Sequence, residues 1–280
     1  MAEKTKNRKI DRRWLFLLIF LGVALPLIFT IGLPIETSKN VRIVYKLINE
    51  TPPGTKVILS FDYDPASQPE LHPMAKAIMR NCFERKIKVI VTALWPMGVL
   101  MAEDNFSELE HEFPNIIYGE DYVNMGFKAG GIVTIQAMGK DFREVFPKDM
   151  NATPIDDLPI MDGINNFDNI GFIFAFSAGD PGIKQWVQVA HDTYGVQTSG
   201  GVTGVSAPAI LPYVNEQGQL TGLLAGLKAA AEYEKLTEKP GTATTGMDAQ
   251  SVAHLIIIIF IAIGNINYWR NKKAEKKRGK

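Results

Sequence analysis

The fold is decided by residues 57–95, which read VILSFDYDPASQPELHPMAKAIMRNCFERKIKVIVTALW. Two short apolar runs rich in β-forming residues, 57–63 and 88–95, flank a segment whose apolar side chains recur at helical spacing. That segment ends in basic residues, which suit the carboxyl end of a helix. A strand, a helix and a strand in this order form a β-α-β unit, and such units build parallel sheets covered by helices. We therefore predict an α/β fold that is Rossmann-like, with a mostly parallel sheet and flanking helices.

The alternation of strands and helices continues along the chain. It predicts a helix at 96–113, a strand at 115–119, a strand at 171–180, a helix at 181–195 and a last helix at 219–236. Between the two cycles, residues 147–169 are dense in Pro, Asp and Asn, which is typical of a long loop. The single cysteine, Cys82, excludes an internal disulfide framework, and we expect it to be a small buried hydrophobe.

Two uncharged apolar runs lie near the ends of the chain, at residues 14–35 and 251–269. A helix of roughly 20 apolar residues is long enough to cross the hydrocarbon core of a bilayer. The first run is longer than the roughly 7–15 residues of a signal-peptide core and lacks a small-x-small cleavage pattern, so we predict an uncleaved anchor. A buried core helix is the alternative for the second run, but Tyr268 and Trp269 followed by basic residues are typical of a span that ends at a membrane interface. We therefore predict two transmembrane helices.

Basic residues are concentrated in the two tails, 1–13 and 270–280. The tails hold 13 of the 30 basic residues and 3 of the 30 acidic ones, which leaves 17 basic and 27 acidic residues for 14–269. By the positive-inside rule both termini are predicted to be cytoplasmic, with an extracytoplasmic domain at 36–236 in the cell membrane and a flexible tether at 237–250. The basic tails suit the anionic surface of the lipid bilayer, whereas an acidic domain argues against a nucleic-acid partner.

Two carboxylates end the first predicted strand, in SFDYDP. Asp62 and Asp64 are two residues apart, so on a strand they would face the same side, at the edge where the carboxyl ends of parallel strands meet. Such a pair suits Mg²⁺ or acid-base chemistry, and Asp180, at another strand end, is a third candidate catalytic residue. The alternative is that Asp62 and Asp64 end the strand and accept hydrogen bonds from turn amides. No HxxxH or CxxC spacing is present, so we predict no zinc site.

The strand that ends in Asp62-x-Asp64 resembles the first motif of the haloacid dehalogenase-type phosphatases. Thr92 and the Gly-Asp pair that ends at Asp180 then stand where that family has its second motif and its acidic motif. The chain departs from the family pattern after Asp64, where a Pro-Ala pair follows, and it has no second acidic residue soon after Asp180. The resemblance implies a phosphatase that uses these carboxylates.

Residues 198–208, TSGGVTGVSAP, combine glycines with hydroxyl side chains. Glycines let a backbone approach a ligand closely, and hydroxyls supply hydrogen bonds. The order Gly-Gly-x-x-Gly matches neither the Walker A spacing nor the Gly-x-Gly-x-x-Gly fingerprint. A loop whose glycines serve tight turns and a cradle for a small ligand are the two interpretations. The candidate ligand-binding residues are Thr198, Ser199, Gly200, Gly201, Thr203, Gly204 and Ser206.

The last predicted helix carries a stripe of small residues. Gly218, Gly222, Gly226 and Ala230 are four residues apart. Such a stripe allows close packing, either within the domain or at a subunit interface.

No complete catalytic motif is present, and two membrane spans are too few to form a pore. We therefore expect a binding or scaffolding subunit of a larger membrane assembly, in contact with the lipid bilayer and with a protein partner or further copies of itself as a homo-oligomer. The alternative is a membrane-anchored, metal-dependent hydrolase or phosphatase that uses the strand-end carboxylates, with Mg²⁺ as its cofactor. The sequence identifies no other cofactor.

Overall fold

The computed structural model describes residues 12–215 and 218–278. Most of the predicted N-terminal tail and the last two residues of the C-terminal tail lie outside the described residues. The chain divides into two compact units. The central unit is Ile35–Ala243, and the terminal unit combines Met1–Pro34 with Thr244–Lys280.

A sheet of six strands forms the core of the central unit. The strands are β1 (Lys56–Asp62), β2 (Lys88–Ala93), β3 (Tyr122–Phe127), β4 (Ile173–Ser177), β5 (Thr198–Val202) and β6 (Leu223–Ala225). All neighbouring strands are parallel, and their order across the sheet is β3-β2-β1-β4-β5-β6. This is the doubly wound order of Rossmann-like folds, which reverses between β1 and β4. The prediction of an α/β fold with a mostly parallel sheet is confirmed.

Helices cover both faces of the sheet. The α-helices of the described ranges are α1 (Arg12–Ile28), α2 (Lys39–Glu50), α3 (Gln68–Glu84), α4 (Gly98–Glu112), α5 (Ile132–Lys140), α6 (Phe142–Val145), α7 (Ile183–Trp186), α8 (Ala207–Ile210), α9 (Gly226–Leu236) and α10 (Thr242–Arg278). A π-helical turn, Val187–His191, continues α7. One face of the sheet packs against α2, α3, α4 and α9, and the other packs against α5, α6 and α7.

The long segment between α6 and β4 packs on this second face. It contributes Ile160, Met161 and Phe167 to the hydrophobic core. Its only regular structure within 147–169 is two short 3-10 turns, Ile155–Asp157 and Pro159–Met161, so the predicted long loop is confirmed.

The prediction of a strand at 115–119 is wrong. The paired strand is β3, which begins at Tyr122, whereas Ile117 is exposed and Tyr118 forms only an isolated bridge with Tyr122. The chain turns at Gly119, whose φ is 82°. The position of this turn, and not the apolar run before it, decides where strand pairing starts.

The last predicted helix, 219–236, is a strand followed by a helix. Leu223–Ala225 forms β6 and pairs with β5, and α9 begins at Gly226, whose φ of 67° is left-handed. The predicted stripe of small residues on one helix face is therefore wrong. The period of a short apolar run does not distinguish a strand from a helix, and here the free edge of β5 supplies the pairing partner.

Two helices dominate the terminal unit, α1 with 17 residues and α10 with 37. Among the described residues only α10, over Thr242–Ala274, is long and apolar enough to cross a membrane. The prediction of two transmembrane helices is corrected accordingly. α1 ends at Ile28, and the chain then passes through Gly32, whose φ is 69°, and Pro34, neither of which favours a helix.

Most of the predicted flexible tether at 237–250 is helical. α9 ends at Leu236, and α10 already begins at Thr242. The Glu234 carboxylate accepts hydrogen bonds from the backbone N–H groups of Gly241 (2.8 Å) and Ala243 (3.1 Å). These bonds satisfy amides at the start of α10, and the composition of the tether did not reveal them.

Within the terminal unit, α1 and α10 pack side by side and run in opposite directions. A Cβ atom on Gly22 would lie 2.3 Å from Cδ1 of Ile256 and 3.4 Å from Cγ1 of Val252, so the absence of a side chain permits this contact. The buried Asp248 carboxylate accepts hydrogen bonds at 2.8–3.0 Å from the backbone N–H groups of residues 31–33. It therefore links the segment after α1 to the beginning of α10.

Candidate functional site

The loops that follow the strands lie along one edge of the sheet, which we call the carboxyl edge. Because all six strands are parallel, their carboxyl ends meet there. Asp62 ends β1, Asp180 follows β4, and residues 203–206 follow β5. β4 pairs with both β1 and β5, so these three segments are neighbours although Asp62 is far from the other two in the sequence.

Asp62 is buried beneath the carboxyl edge and hydrogen-bonded through both oxygens. Its Oδ1 accepts bonds from the Ser60 hydroxyl (2.8 Å) and the Leu94 backbone N–H (2.8 Å), and its Oδ2 accepts one from Nε1 of Trp186 (3.1 Å). Burial raises the pKa of Asp62 to about 7, although the three hydrogen bonds oppose that shift. The residue is 0% exposed, so it presents no oxygen to the solvent. Its bonds connect the ends of β1 and β2 to α7.

The other two candidate carboxylates lie in turns. Oδ1 of Asp64 accepts a hydrogen bond from the backbone N–H of Ala66 (3.1 Å). Asp64 thus has the turn-stabilising role that the sequence offered as the alternative to catalysis. Asp64 lies beyond the end of β1, so the strand rule that would place it beside Asp62 does not apply. Asp180 is exposed and accepts a hydrogen bond from Nε2 of Gln185. Across the described ranges, no group of three or more His, Cys, Asp or Glu residues could hold a metal ion.

Thr92 and Cys82 are both buried in the core. Thr92 lies on β2 opposite Ser60, and its hydroxyl has no hydrogen-bond partner among the described residues. Burial raises the pKa of the Cys82 thiol to about 12, so the thiol stays protonated. Neither side chain is accessible to a substrate.

The first five residues of the glycine-rich segment form a strand. Thr198–Val202 forms β5 and is buried along its whole length. A Cβ atom on Gly200 would lie 2.3 Å from Cδ1 of Ile183, and one on Gly201 would lie 2.1 Å from Sδ of Met74. These glycines are needed because helices pack closely on both faces of β5, which corrects the expectation of a loop around them.

Of the candidate ligand-binding residues, those beyond β5 are Thr203, Gly204 and Ser206. The hydroxyls of Thr198 and Ser199 lie inside the sheet and donate to backbone carbonyls. Thr203 Oγ1 donates to Ser206 Oγ (3.0 Å), and the Ser206 hydroxyl donates to the carbonyl of Ala178 (3.3 Å). These hydroxyls hold the loop after β5 against the loop after β4.

Glu70, in the first turn of α3, is an edge residue that sequence reasoning missed. Its Oε2 accepts a hydrogen bond from the backbone N–H of Gly204 (2.8 Å). A Cβ atom on Gly226 would lie 3.0 Å from that oxygen and 3.2 Å from Cα of Gly204. The three residues join α3 to the loops after β5 and β6. An acidic residue in the first turn of a helix is favoured by the helix dipole alone. The presence of Glu70 at this position therefore did not predict its contact with Gly204.

Two depressions lie along the carboxyl edge, and Asp180 lines both. The larger has a volume of about 470 Å³ and is bounded by the loops after β2, β3 and β4, with Phe127 and Gln185 in its wall. The smaller, of about 170 Å³, lies between the loops after β4 and β5 and is lined by Lys184 and Ser206. The larger cleft lies across the point where the strand order reverses.

Large apolar side chains are exposed beyond several strands of the same edge, in loops and in the first turns of α4 and α5. They are Met97 and Leu100 after β2, Val133 after β3 and Val205 after β5. Val205 is 89% exposed and Val133 is 65% exposed. Single exposed apolar residues need no explanation, but a group of them on one surface is typical of an interaction site.

Comparisons with protein-family models, with curated proteins and with solved structures found no match to this chain. The fold assignment therefore rests on the order and direction of the strands. Because one fold supports many functions, the function depends on the residues at the carboxyl edge and not on the fold alone.

Proposed function

We propose that the protein is a membrane-anchored binding subunit of a larger membrane assembly, and that its carboxyl edge contacts a protein partner. The observation that carries this proposal is the exposure of Leu100 and Val133, in the first turns of α4 and α5, and of Val205, in the loop after β5, beyond three different strands of one edge. Exposed apolar groups spread along an edge suit the broad surface of a protein, because the centres of protein interfaces are apolar and lie beneath a polar rim.

A metal-dependent hydrolase or phosphatase has less support from this geometry. Such an enzyme needs a carboxylate that reaches its metal ion and the group under attack. Asp62 has both oxygens engaged within the protein. For Asp62 to reach a bound Mg²⁺, the residues that bury it would have to move, because its side chain has no access to the solvent.

Binding of a small molecule is the second candidate function. The cleft of about 470 Å³ favours it, because ligands of open α/β sheets bind where the strand order reverses. Phe127 offers an apolar contact there, while Asp180 and Gln185 offer acceptor oxygens. This wall suits a compact ligand with one apolar side and several hydrogen-bond donors.

The placement of the chain in a membrane is part of the proposal. α10 has the length and composition of a membrane span, and basic residues from Arg270 onward follow its apolar part. With the positive-inside rule, these observations support a cytoplasmic C-terminus and an extracytoplasmic central unit.

Topology is tested in intact cells. We expect a reporter fused at the C-terminus to stay cytoplasmic and external protease to reach the central unit. Protection of the central unit from that protease, with cleavage after the cells are opened, would contradict the arrangement.

Partner binding is tested by extracting the full chain from its native membrane with a mild detergent. We expect it to purify in a stoichiometric complex. A photocrosslinking amino acid at Val205 should capture the partner, whereas one at Ile117, an apolar residue 52% exposed before β3 on the opposite edge, should not. Val205→Glu should release the partner and Ile117→Glu should retain it.

The same experiment separates the two candidate functions. A chain that purifies without any partner, or that crosslinks from Ile117 alone, would contradict a protein contact at the carboxyl edge. Density for a small molecule in the cleft, lost in Gln185→Ala and retained in Val205→Glu, would favour the second candidate.

A further inference from the structure

A small pocket lies at the carboxyl edge between the loops after β4 and β5, next to the larger cleft. Its volume of about 170 Å³ is well below the roughly 300–1,000 Å³ of sites for drug-sized ligands. Val202, at the end of β5, and Ile210, at the end of α8, form an apolar wall together with Ala209. The pocket therefore suits a very small molecule with a short hydrocarbon group.

Lys184 supplies a positive charge to this pocket. It lies in α7, lines the pocket and is half-buried. Within residues 12–215 and 218–278 its ammonium group has no hydrogen bond and no ion pair, although Asp180 lies only four residues earlier. Apolar surroundings reduce the screening of a charge by water, so this ammonium group attracts a small anion.

The same pocket also offers hydrogen-bond acceptors. Oδ1 of Asp180 accepts a hydrogen bond from Nε2 of Gln185, and its Oδ2 accepts none from the part of the chain that the structure describes. The Ser177 hydroxyl donates to the carbonyl of Gly179 (2.9 Å), which leaves the lone pairs of its oxygen to accept. Asp180 and Ser177 both line the pocket. Asp180 repels a purely anionic ligand and Lys184 repels a purely cationic one, so the pocket favours a ligand that carries both charges.

We propose that this pocket binds a free α-amino acid with a small aliphatic side chain, such as valine. Such a molecule carries a carboxylate and an ammonium group on one carbon, beside a hydrocarbon group. The carboxylate pairs with Lys184, and the ammonium group donates to Asp180 and Ser177. The side chain contacts Val202 and Ile210. A few convergent polar groups beside an apolar wall are the usual composition of a small-molecule site.

Calorimetric titration of the full chain in detergent tests the class of ligand. The probes are L-valine, 2-methylpropylamine, which lacks the carboxylate, and 3-methylbutanoate, which lacks the ammonium group. Each analogue loses a charge-assisted hydrogen bond, so each should bind roughly 10- to 100-fold more weakly than valine. No binding of valine at millimolar concentration, or equal affinity for the three probes, would overturn the proposal.

Two substitutions assign each charge of the ligand to its partner. Lys184→Gln should weaken the binding of valine by roughly 10-fold or more and should not weaken that of 2-methylpropylamine. Asp180→Asn should also weaken the binding of valine, but it should not weaken that of 3-methylbutanoate. Lys140→Gln and Asp168→Asn are the matched controls, because they change the same charges at exposed positions that do not line the pocket. Equal weakening in a variant and its control would contradict the assignment.

A third substitution tests the apolar wall. Ala209→Leu places additional carbon atoms in the pocket and should therefore exclude valine. Undiminished affinity for valine in this variant would overturn the proposal.

The proposal goes beyond the contact with a protein partner and does not rest on it. Val205 does not line the pocket, so Val205→Glu should release the partner and keep the affinity for valine. Capture of the partner without binding of valine would reject the pocket and keep the proposed function. Binding of valine without capture of a partner would do the reverse.

Discussion

The carboxyl edge has two layers of opposite chemistry. In the inner layer Asp62, Glu70 and Ser206 are hydrogen-bonded to other parts of the protein. In the outer layer, apolar side chains such as Val133 and Val205 are exposed to the solvent. An active site usually presents its polar groups to a substrate, whereas here the polar groups hold the loops in place and the apolar groups remain available. Substitutions in the inner layer should therefore change stability, and substitutions in the outer layer should change partner binding.

The largest effect is expected from the titration of Asp62. Its pKa is 3.8 in the unfolded chain and about 7 in the folded one. Between these values the folded state binds more protons than the unfolded state, so the free energy of unfolding should fall as the pH rises. The expected loss from pH 4 to pH 7 is about 3 kcal/mol, and the change from this group ends about one pH unit above its folded-state pKa. Chemical unfolding of the full chain in detergent at a series of pH values measures it.

Two variants show whether Asp62 causes this dependence. Asp62→Asn cannot titrate and should flatten the profile over this range. Asp64→Asn removes a neighbouring carboxylate that lies in a turn, and it should keep the slope. If the free energy of unfolding of Asp62→Asn still falls with rising pH, another group causes the dependence, and Asp62 does not have the role proposed for it in the inner layer.

A loss of similar size is expected where α4 meets the end of β1. A Cβ atom on Gly98 would lie 1.8 Å from the carbonyl oxygen of Phe61, the residue before Asp62. The backbone would have to move, so Gly98→Ala should lower the free energy of unfolding by about 3 kcal/mol. Gly264→Ala, in α10 with nothing within 4 Å, is the control and should be neutral or slightly stabilising. Equal free energies of unfolding for the two variants would mean that the backbone at Gly98 and Phe61 can move apart without loss of stability.

The sequence was sufficient to predict β1, β2 and β4, the last of which, Ile173–Ser177, lies within the strand predicted at 171–180. The run predicted as a strand at 57–63 is β1, Lys56–Asp62, and the run at 88–95 contains β2, because strands buried on both faces of a parallel sheet are nearly continuous apolar runs. β3 was missed because it contains Asn124 and Gly126, which interrupt such a run. β6 has only three residues and was absorbed into the helix that follows.

The site was less predictable than the fold. The rule for parallel sheets placed Asp62 at the carboxyl edge, but its burial depends on Trp186, a residue 124 positions away that donates to its Oδ2. The bond between Glu70 and Gly204 likewise joins elements that no local pattern connects. Local patterns predict strand ends, whereas tertiary contacts decide which strand-end side chains remain accessible.

Gly226, directly after β6, and Gly218, five residues before that strand, allow the contact with Glu70 to be separated from backbone preference. Both have left-handed backbones, with φ of 67° and 74°, so alanine should cost each about 1–2 kcal/mol. Only Gly226 also faces Gly204 and Glu70, so Gly226→Ala should cost about 1 kcal/mol more than Gly218→Ala. Thermal unfolding of the two variants measures the difference. Equal losses would mean that the contact with Glu70 adds nothing to the backbone preference.

The smallest change in stability is expected in the outer layer, where the functional effect should be greatest. Val205 is 89% exposed, so Val205→Glu removes almost no buried surface and should alter the free energy of unfolding by less than about 0.5 kcal/mol. Val133→Glu should behave alike, and both variants should lose the co-purifying partner because a charge is costly in an apolar interface. Ile117→Glu, before β3 on the opposite edge, controls for added charge and should keep both stability and partner. If the variants instead lost stability while keeping the partner, the outer layer would be part of the folding core, and the separation of roles between the two layers would fail.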